Sequence, residues 1–349
     1  MLLKSVFALS LLALPALAND GFGGLTATGL QFSLTDAVAM ESEDLYLSID
    51  KIKVAYTFRN LTSADVTGEV IFPLPPISLA GLMESMMNLP ENLEQENFLN
   101  FTAVVNGQPV TTAIDRIAVI EPPWESRHAA SEQYDSPGKD VTSVFDNLGL
   151  PLLMDVYKVK DQLAALDAAT LQSLIDQGLV EVYPGYDGGA DEIVPLWSIV
   201  LRYHWTQTFA AGAVTTIAHD YDSRPSGGLF SWETPVPDYM ETVRDQYCVD
   251  DGTSKALTKL TQQKASDGEV YSMGEAWFIA YVLKTANSWA GPIKSFKLTV
   301  DKGDAANIIS LCADGIKKTG PTTFVMEKTD YVPSRDLDVL VVKSYKMEE

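Results

Sequence analysis

Apolar and polar residues alternate with period two over long stretches of the first two thirds of the chain. In Lys51–Arg59, Ile52, Val54, Tyr56 and Phe58 fall on one side, and Lys51, Lys53, Thr57 and Arg59 on the other. Successive side chains of a strand point to opposite faces, so this segment reads as a half-buried strand. Asn60–Asp65 is a polar turn, and Val66–Phe72 is the next strand. Pro73, Pro75 and Pro76 close it, because proline has no N–H to give to a ladder. Phe101–Val105 is a further strand, turned at Asn106-Gly107, the strongest short-range hairpin signal, and the chain returns from Val110. Trp197, Ile199, Leu201, Tyr203 and Trp205 share one face of a long strand. A turn at Ala210–Ala213 sends it back through Val214–Tyr221. Short strands with turn signals every 8–12 residues or so predict an antiparallel β-sandwich.

Helical signals are fewer. Asp167 is placed to cap a helix over Ala168–Gln177, with Gly178 at its exit and Leu171, Leu174 and Ile175 as one apolar stripe. Met154–Leu166 reads as a second helix, so the sandwich carries a helical insertion near 146–178. The Ser-Arg-Pro-Ser-Gly-Gly cluster at Ser223–Gly228 reads as a linker. The predicted organisation is mainly β: a sandwich domain over 19–225, then a smaller α+β domain over 226–349. The latter holds an exposed helix over Thr253–Lys264 and strands at Glu275–Lys284, Lys294–Val300, Thr322–Glu327 and Asp338–Tyr345. Two units also suit 349 residues, since single cores stop growing near roughly 250–300 residues.

The first eighteen residues change the picture. Lys4 gives a positive start, Ser5–Leu14 an apolar run, and Ala16-Leu17-Ala18 a small-x-small cleavage site. The run is too short to span a bilayer, which needs about 20 apolar residues. The expectation is a signal peptide over 1–18, cleaved between Ala18 and Asn19, and a mature chain without a transmembrane segment, periplasmic or extracellular. In such an oxidising compartment Cys248 and Cys312, the only cysteines, are expected to form a disulfide. The charge balance, 25 Lys and Arg against 47 Asp and Glu for a formal net charge of −22, argues against nucleic acid and anionic lipid as partners.

Several motifs together carry a family resemblance. Tyr-Thr-Phe-Arg-Asn-Leu-Thr-Ser-Ala-Asp-Val-Thr-Gly-Glu-Val-Ile-Phe-Pro-Leu-Pro-Pro at Tyr56–Pro76 is one. The others are Asn19–Leu25, Asn97–Val110, Lys317–Phe324 and Pro333–Leu340. The chain resembles family 4424 of domains of unknown function, secreted bacterial proteins with no assigned activity. That resemblance implies export and transfers no catalytic residue. The order Tyr56–Thr62, Val70–Pro76 and Val105–Val110 is also similar to the VIT domain of inter-alpha-trypsin inhibitor heavy chains, which implies a β-sandwich. The helical insertion departs from that pattern, and there is no Asp-x-Ser-x-Ser adhesion motif.

Candidate chemistry is sparse. A turn centred between Ala211 and Gly212 sets His204 opposite His219, two imidazoles that could share a metal or respond to pH. His128 is the remaining histidine. Tyr183–Glu192 offers Asp187, Asp191 and Glu192 as oxygen ligands for calcium, although it reads better as a solvated turn. Phe72–Pro76 reads as a rigid corner rather than a polyproline recognition segment. Asn60 and Asn100 head Asn-x-Thr sequons. Trp277 and Trp289 could line a pocket, with core packing as the default. No Gly-x-Ser-x-Gly elbow, His-Glu-x-x-His or phosphate loop is present. No catalytic, cofactor-binding or metal-ligating set is therefore assigned, and no cofactor is expected. The reading is a non-catalytic module binding a protein or glycan in the envelope or outside it. The alternatives are a metal-assisted hydrolase built around His204 and His219 and a self-assembling envelope protein.

Overall fold

The computed structural model describes residues 16–18, 21–26, 29–74, 76–84, 86–87, 89–123, 137–185, 189, 191–264 and 268–345. Its long strands are, in chain order, β1 (Gly21–Thr26), β2 (Val38–Leu47), β3 (Lys51–Asn60), β4 (Val66–Pro73), β5 (Thr102–Val105), β6 (Ala113–Ile120) and β7 (Ser198–Phe209). They continue with β8 (Val214–Asp222), β9 (Ser226–Phe230), β10 (Gly274–Val282), β11 (Ile293–Asp301), β12 (Thr323–Tyr331) and β13 (Leu337–Ser344). Four helices matter below: α1 (Thr142–Leu148), α2 (Val156–Ala164), α3 (Ala168–Asp176) and α4 (Asp251–Thr261).

Three sheets carry the molecule. The eight-stranded sheet has the order Gln108–Val110, β5, β8, β3, β2, β11, β12, Lys317–Lys318. The seven-stranded sheet has the order Lys139–Asp140, β6, β7, β4, β1, Gly29–Phe32, with Ile77–Ser78 beside β7. In the six-stranded sheet Ile308–Leu311, β13, β10, β9 and Met86–Met87 follow one another, and Ala16–Ala18 runs parallel to Ala280–Val282. Long neighbours pair antiparallel, except β2 with β11, which run parallel. The fold is thus mainly β, as the alternating patterns predict. Position 225 does not divide the sheets: β2, β3, β5 and β8 precede it, and β11 and β12 extend the same sheet from beyond it.

The alternation that defines each strand also builds the core. Ile52, Val54, Tyr56 and Phe58 of β3 are buried, while Lys53 and Ala55 between them are exposed. Inward rings of the eight- and seven-stranded sheets meet in an aromatic seam. Phe72 of β4 lies 5.2 Å from Phe101, 5.1 Å from His219 and 4.9 Å from Tyr221, centroid to centroid. Phe58, Phe209 and Trp289 pack on one another at 4.4–5.8 Å. Aromatic pairs at such distances contribute about 0.5–1.5 kcal/mol each beyond their buried area. The buried hydroxyls of Tyr56 and Tyr281, 3.3 Å apart, join this seam to the six-stranded sheet.

β13 shows how one strand serves two cores. Val339 and Val341 belong to the main apolar cluster, while Leu340 and Val342 face a second cluster with Trp232, Tyr247 and Leu257 of α4. The predicted helical insertion is formed by α1, α2 and α3. Asp155 accepts backbone N–H groups of Tyr157 and Lys158, and Asp167 those of Ala169 and Thr170, so each satisfies donors that the first helical turn leaves open. Asp250 caps α4 through the Thr253 amide at 2.6 Å. Two residues before that cap, Cys248 is bonded to Cys312, Cα atoms 5.1 Å apart, which ties α4 to the chain just beyond Ile308–Leu311.

Replacing both cysteines by serine removes a closure spanning 64 residues. The loop-entropy relation sets the upper bound of the loss at about 4 kcal/mol. The check is chemical denaturation of wild type and the double variant under oxidising conditions; coincident curves would show that the bond adds nothing to stability.

Candidate functional site

The paired-histidine expectation is corrected by the topology. β7 and β8 are consecutive, but they lie in different sheets, so the Ala210–Ala213 turn is a crossover and not a hairpin. His204 is opposite Ile71 and Ala113, whereas His219 is opposite Val54 and Ala103. The reason is that both strands carry a heavily apolar face. The turn carries the chain from one sheet to the other, so that the two faces meet across the main core. The crossover is tied to the Asn60–Asp65 turn: Ala211 N–H donates to Asp65 at 2.9 Å and Gly212 N–H to the Thr62 carbonyl at 2.9 Å.

The two histidines have opposite environments. His219 is 3% exposed and surrounded by Tyr56, Phe72, Phe101 and Tyr221. Burial pushes its pKa down to about 3, so the imidazole is neutral at ordinary pH. His204 points to the other side of the seven-stranded sheet. There its Nδ1 lies 2.8 Å from Glu69 Oε2, and the Thr206 hydroxyl donates to Glu69 Oε1 at 2.5 Å. Beside them Arg202 and Asp115, opposite each other in the ladder, approach to 3.7 Å. His204 is therefore largely covered rather than solvated, with a side chain only 13% exposed.

The other singled-out residues do not converge. Glu192 is held by Lys160 at 3.2 Å and Asp191 accepts from the Gly185 N–H at 3.3 Å; Asp187 lies outside the described residues, as do His128, Asn19 and Met1–Pro15. Among the described residues no three His, Cys, Asp or Glu side chains gather at one point. β4 ends at Pro73, and Phe72 and Leu74 turn into the core, as the rigid-corner reading expects; Pro75 is outside the described residues. Asn60 is 1% exposed, and its amide donates to the Ala64 and Phe209 carbonyls, so it is a turn staple and not an open sequon. Asn100 donates to Asp222 at 2.7 Å. Trp289 is core, whereas Trp277 donates to Glu275 at 2.7 Å and is covered by Lys343.

Sequence reasoning missed the outer face of the eight-stranded sheet. The residues between the buried positions of β2, β3, β5 and β8 form a grid. In one row Val104, Ala218, Ala55, Asp44 and Lys297 lie side by side across five strands. In the next row stand Thr102, Asp220, Lys53, Tyr46 and Thr299. Because Ala55 and Ala218 are small and directly opposed, the surface dips between taller neighbours. The result is a groove of about 340 Å³ with Tyr46, Lys53, Asp220 and Thr102 along its side.

Ion pairs fix its rim. Lys297 Nζ lies 3.0 Å from Asp44, and Lys51 bridges Asp220 at 3.5 Å and Asp222 at 2.9 Å. Burial raises the Asp222 pKa, but the charges and hydrogen bonds of Lys51, Asn100 and Arg224 outweigh it and hold the carboxyl below its ordinary value. The Tyr46 hydroxyl donates to Asp301 at 3.1 Å, which orients its ring. Burial, followed by the Asp301 charge, raises the Tyr46 pKa, so the phenol stays protonated. Such a surface can hold a small neutral ligand by C–H contact on the methyl floor and hydrogen bonds at the rim.

An outward-facing β-sheet groove over a sandwich core defines a β-rich domain with a surface site. At residues 18–340 the chain matches the family described as Domain of unknown function (DUF4424), and it belongs to that family. No curated protein matches it. Among solved structures it is similar to a Legionella pneumophila protein provisionally named a nutrient binding protein, at 15% identity and a TM-score of 0.44, over 94% of this chain and 71% of that one.

Two predictions follow from the histidine environments. His219 has a folded pKa below its unfolded value of about 6.5, so it contributes stability that is complete above that pH and is lost as pH falls toward about 3. Its share of the slope is roughly 1.4 kcal/mol per pH unit. Urea denaturation of His219→Phe between neutral pH and pH 4 should show a shallower acid loss than wild type; parallel profiles would contradict this. His204→Ala removes one hydrogen-bond partner of the buried Glu69 side chain and leaves it the Thr206 hydroxyl. The expected loss is about 1–3 kcal/mol, read by the same method; a loss within error of zero would contradict it.

Proposed function

We propose that this chain is an exported, non-catalytic binding module that acts through the groove on the outer face of its eight-stranded sheet. The observation that carries the reading is the groove itself. It is a depression with a methyl floor and an ordered polar rim, on a sheet whose other face is anchored in the main core. Its acids are engaged: Asp44 by Lys297 and Asp220 by Lys51, which suits holding a ligand more than moving protons. Export is supported by the Lys4 to Ala18 pattern and by the Cys248–Cys312 bond. Among the described residues no helix is long and apolar enough to cross a membrane. The proposed organisation retains a leader over 1–18, a sandwich over 19–225 with its helical insertion, and a smaller unit over 226–349 that lends β11 and β12 to the sandwich.

Two measurements test this. Mass spectrometry of the protein recovered from its native host should give Asn19 as the first residue; retention of Met1–Ala18 would remove the export part. Immobilised mature chain should retain a component of envelope or culture-medium fractions, protein or saccharide, that Ala218→Leu no longer retains. Ala218 is on the outer face, so this variant should melt with wild type. Equal retention by both forms, or none by wild type, would overturn the binding part.

A further inference from the structure

We propose that the ligand of the outer-face groove is a neutral, extended β-linked glycan lying across the strands; this rests on the binding reading above.

The floor is the first argument. Ala55 and Ala218 are directly opposed, with Val104 opposite Ala218 on the next strand, so three short apolar side chains form a level patch over three strands. Such a patch suits the C–H face of a pyranose ring, which is apolar and nearly flat. It does not suit a protein partner, whose affinity concentrates in large apolar or arginine anchors seated in pockets. Among the described residues none of the large exposed apolar side chains, Leu34, Leu229 and Tyr157 among them, lines this groove.

The rim is the second. A sugar presents vicinal hydroxyls that both donate and accept, and it is read by rigid carboxylate, hydroxyl and amine groups placed side by side. The groove offers such a set in one row: the Thr102 hydroxyl, the Asp220 carboxylate and the Lys53 amine, closed by the Tyr46 ring. Because Lys51 holds Asp220 and Asp301 holds the Tyr46 hydroxyl, these groups are positioned before a ligand arrives.

Direction is the third. On the opposite side of the alanine row, Thr216, Thr57, Ser42, Ser295 and Thr329 form an unbroken row of hydroxyl residues across five strands. Adjacent strands are about 4.8 Å apart, close to the advance per sugar of an extended β-linked chain. A glycan laid across the sheet would therefore meet an equivalent hydroxyl at each strand. Charge selects within the class: the rim sets Lys51, Lys53 and Lys297 against Asp44, Asp220 and Asp222, which leaves no surplus cation for a uronate, sulfate or phosphate polymer on a chain of net charge −22.

The test uses the full mature chain with β-linked tetrasaccharides of glucose, N-acetylglucosamine and mannose, and a polygalacturonate tetramer as the anionic contrast. Amide NMR shifts and titration calorimetry are the readouts. At least one neutral tetrasaccharide should shift signals of β2, β3, β5 and β8 at millimolar concentration, and the anionic tetramer should not. Ala55→Leu and Tyr46→Ala should each weaken that binding by about tenfold or more; Ala55→Leu should melt with wild type, and the amide spectrum of Tyr46→Ala, which loses its bond to Asp301, should confirm that the fold is kept. If no neutral sugar shifts these signals, or the anionic tetramer shifts them more strongly, the glycan inference is overturned. In the no-sugar case the binding reading still stands if Ala218→Leu abolishes retention of a protein from envelope fractions. If Ala218→Leu changes no retention and no sugar binds, both fall together.

Discussion

The seam of rings between the eight- and seven-stranded sheets is the constraint on which the remainder rests. Phe58, Phe72, Phe101, Phe209 and Tyr221 are large and buried, Phe58 against Phe209 and Phe72 against Phe101 and Tyr221, so the registers of β3, β4, β7 and β8 have little freedom. A slip of one residue in any of these strands would turn its buried face outward. The exposed grid is set by the same registers. Ala55 stands beside Ala218 because Tyr56 and Ile217 are held within, and Asp44 stands beside Lys297 because Leu45 and Leu298 are. Surface geometry in this protein is the imprint of core packing, one residue out of phase.

Charge is distributed in two ways across that boundary. Inside the seam His219 stays neutral because solvation of an imidazolium is lost among aromatic rings. On the outer face each acid of the groove rim has a lysine within reach, so a strongly acidic chain presents a nearly balanced patch. Exposed pairs of this kind add little to stability, commonly below about 1 kcal/mol. Their value here lies in fixing where polar groups stand.

Much of the architecture was legible from the chain alone, and the failures have physical causes. Lys51–Arg59 and Val66–Phe72 declared themselves through alternation, and Asp167 announced α3 through its cap. The crossover between β7 and β8 did not, since alternation is the same whether a turn joins partners in one sheet or crosses between two. That ambiguity placed His204 opposite His219, when their neighbours are Ile71 and Val54. β2 was missed because an irregularity between Met40 and Ser42 breaks its period. With β2 unseen, Asp44 and Tyr46 had no face to belong to, and two isolated alanines give no signal until their strands are paired. The parallel union of β2 with β11 likewise has no local signature.

That union has a consequence for how the chain reaches its native state. Asp44 and Lys297, neighbours in the finished sheet, are 253 positions apart in sequence. Until the far segment is free to dock, the β2 margin exposes unsatisfied backbone donors and acceptors beside an apolar underside. Non-local closures of this kind slow folding and leave intermediates prone to self-association. Ordering of this sheet therefore finishes late, and until it does the β2 margin is the border most open to pairing with another copy of the chain.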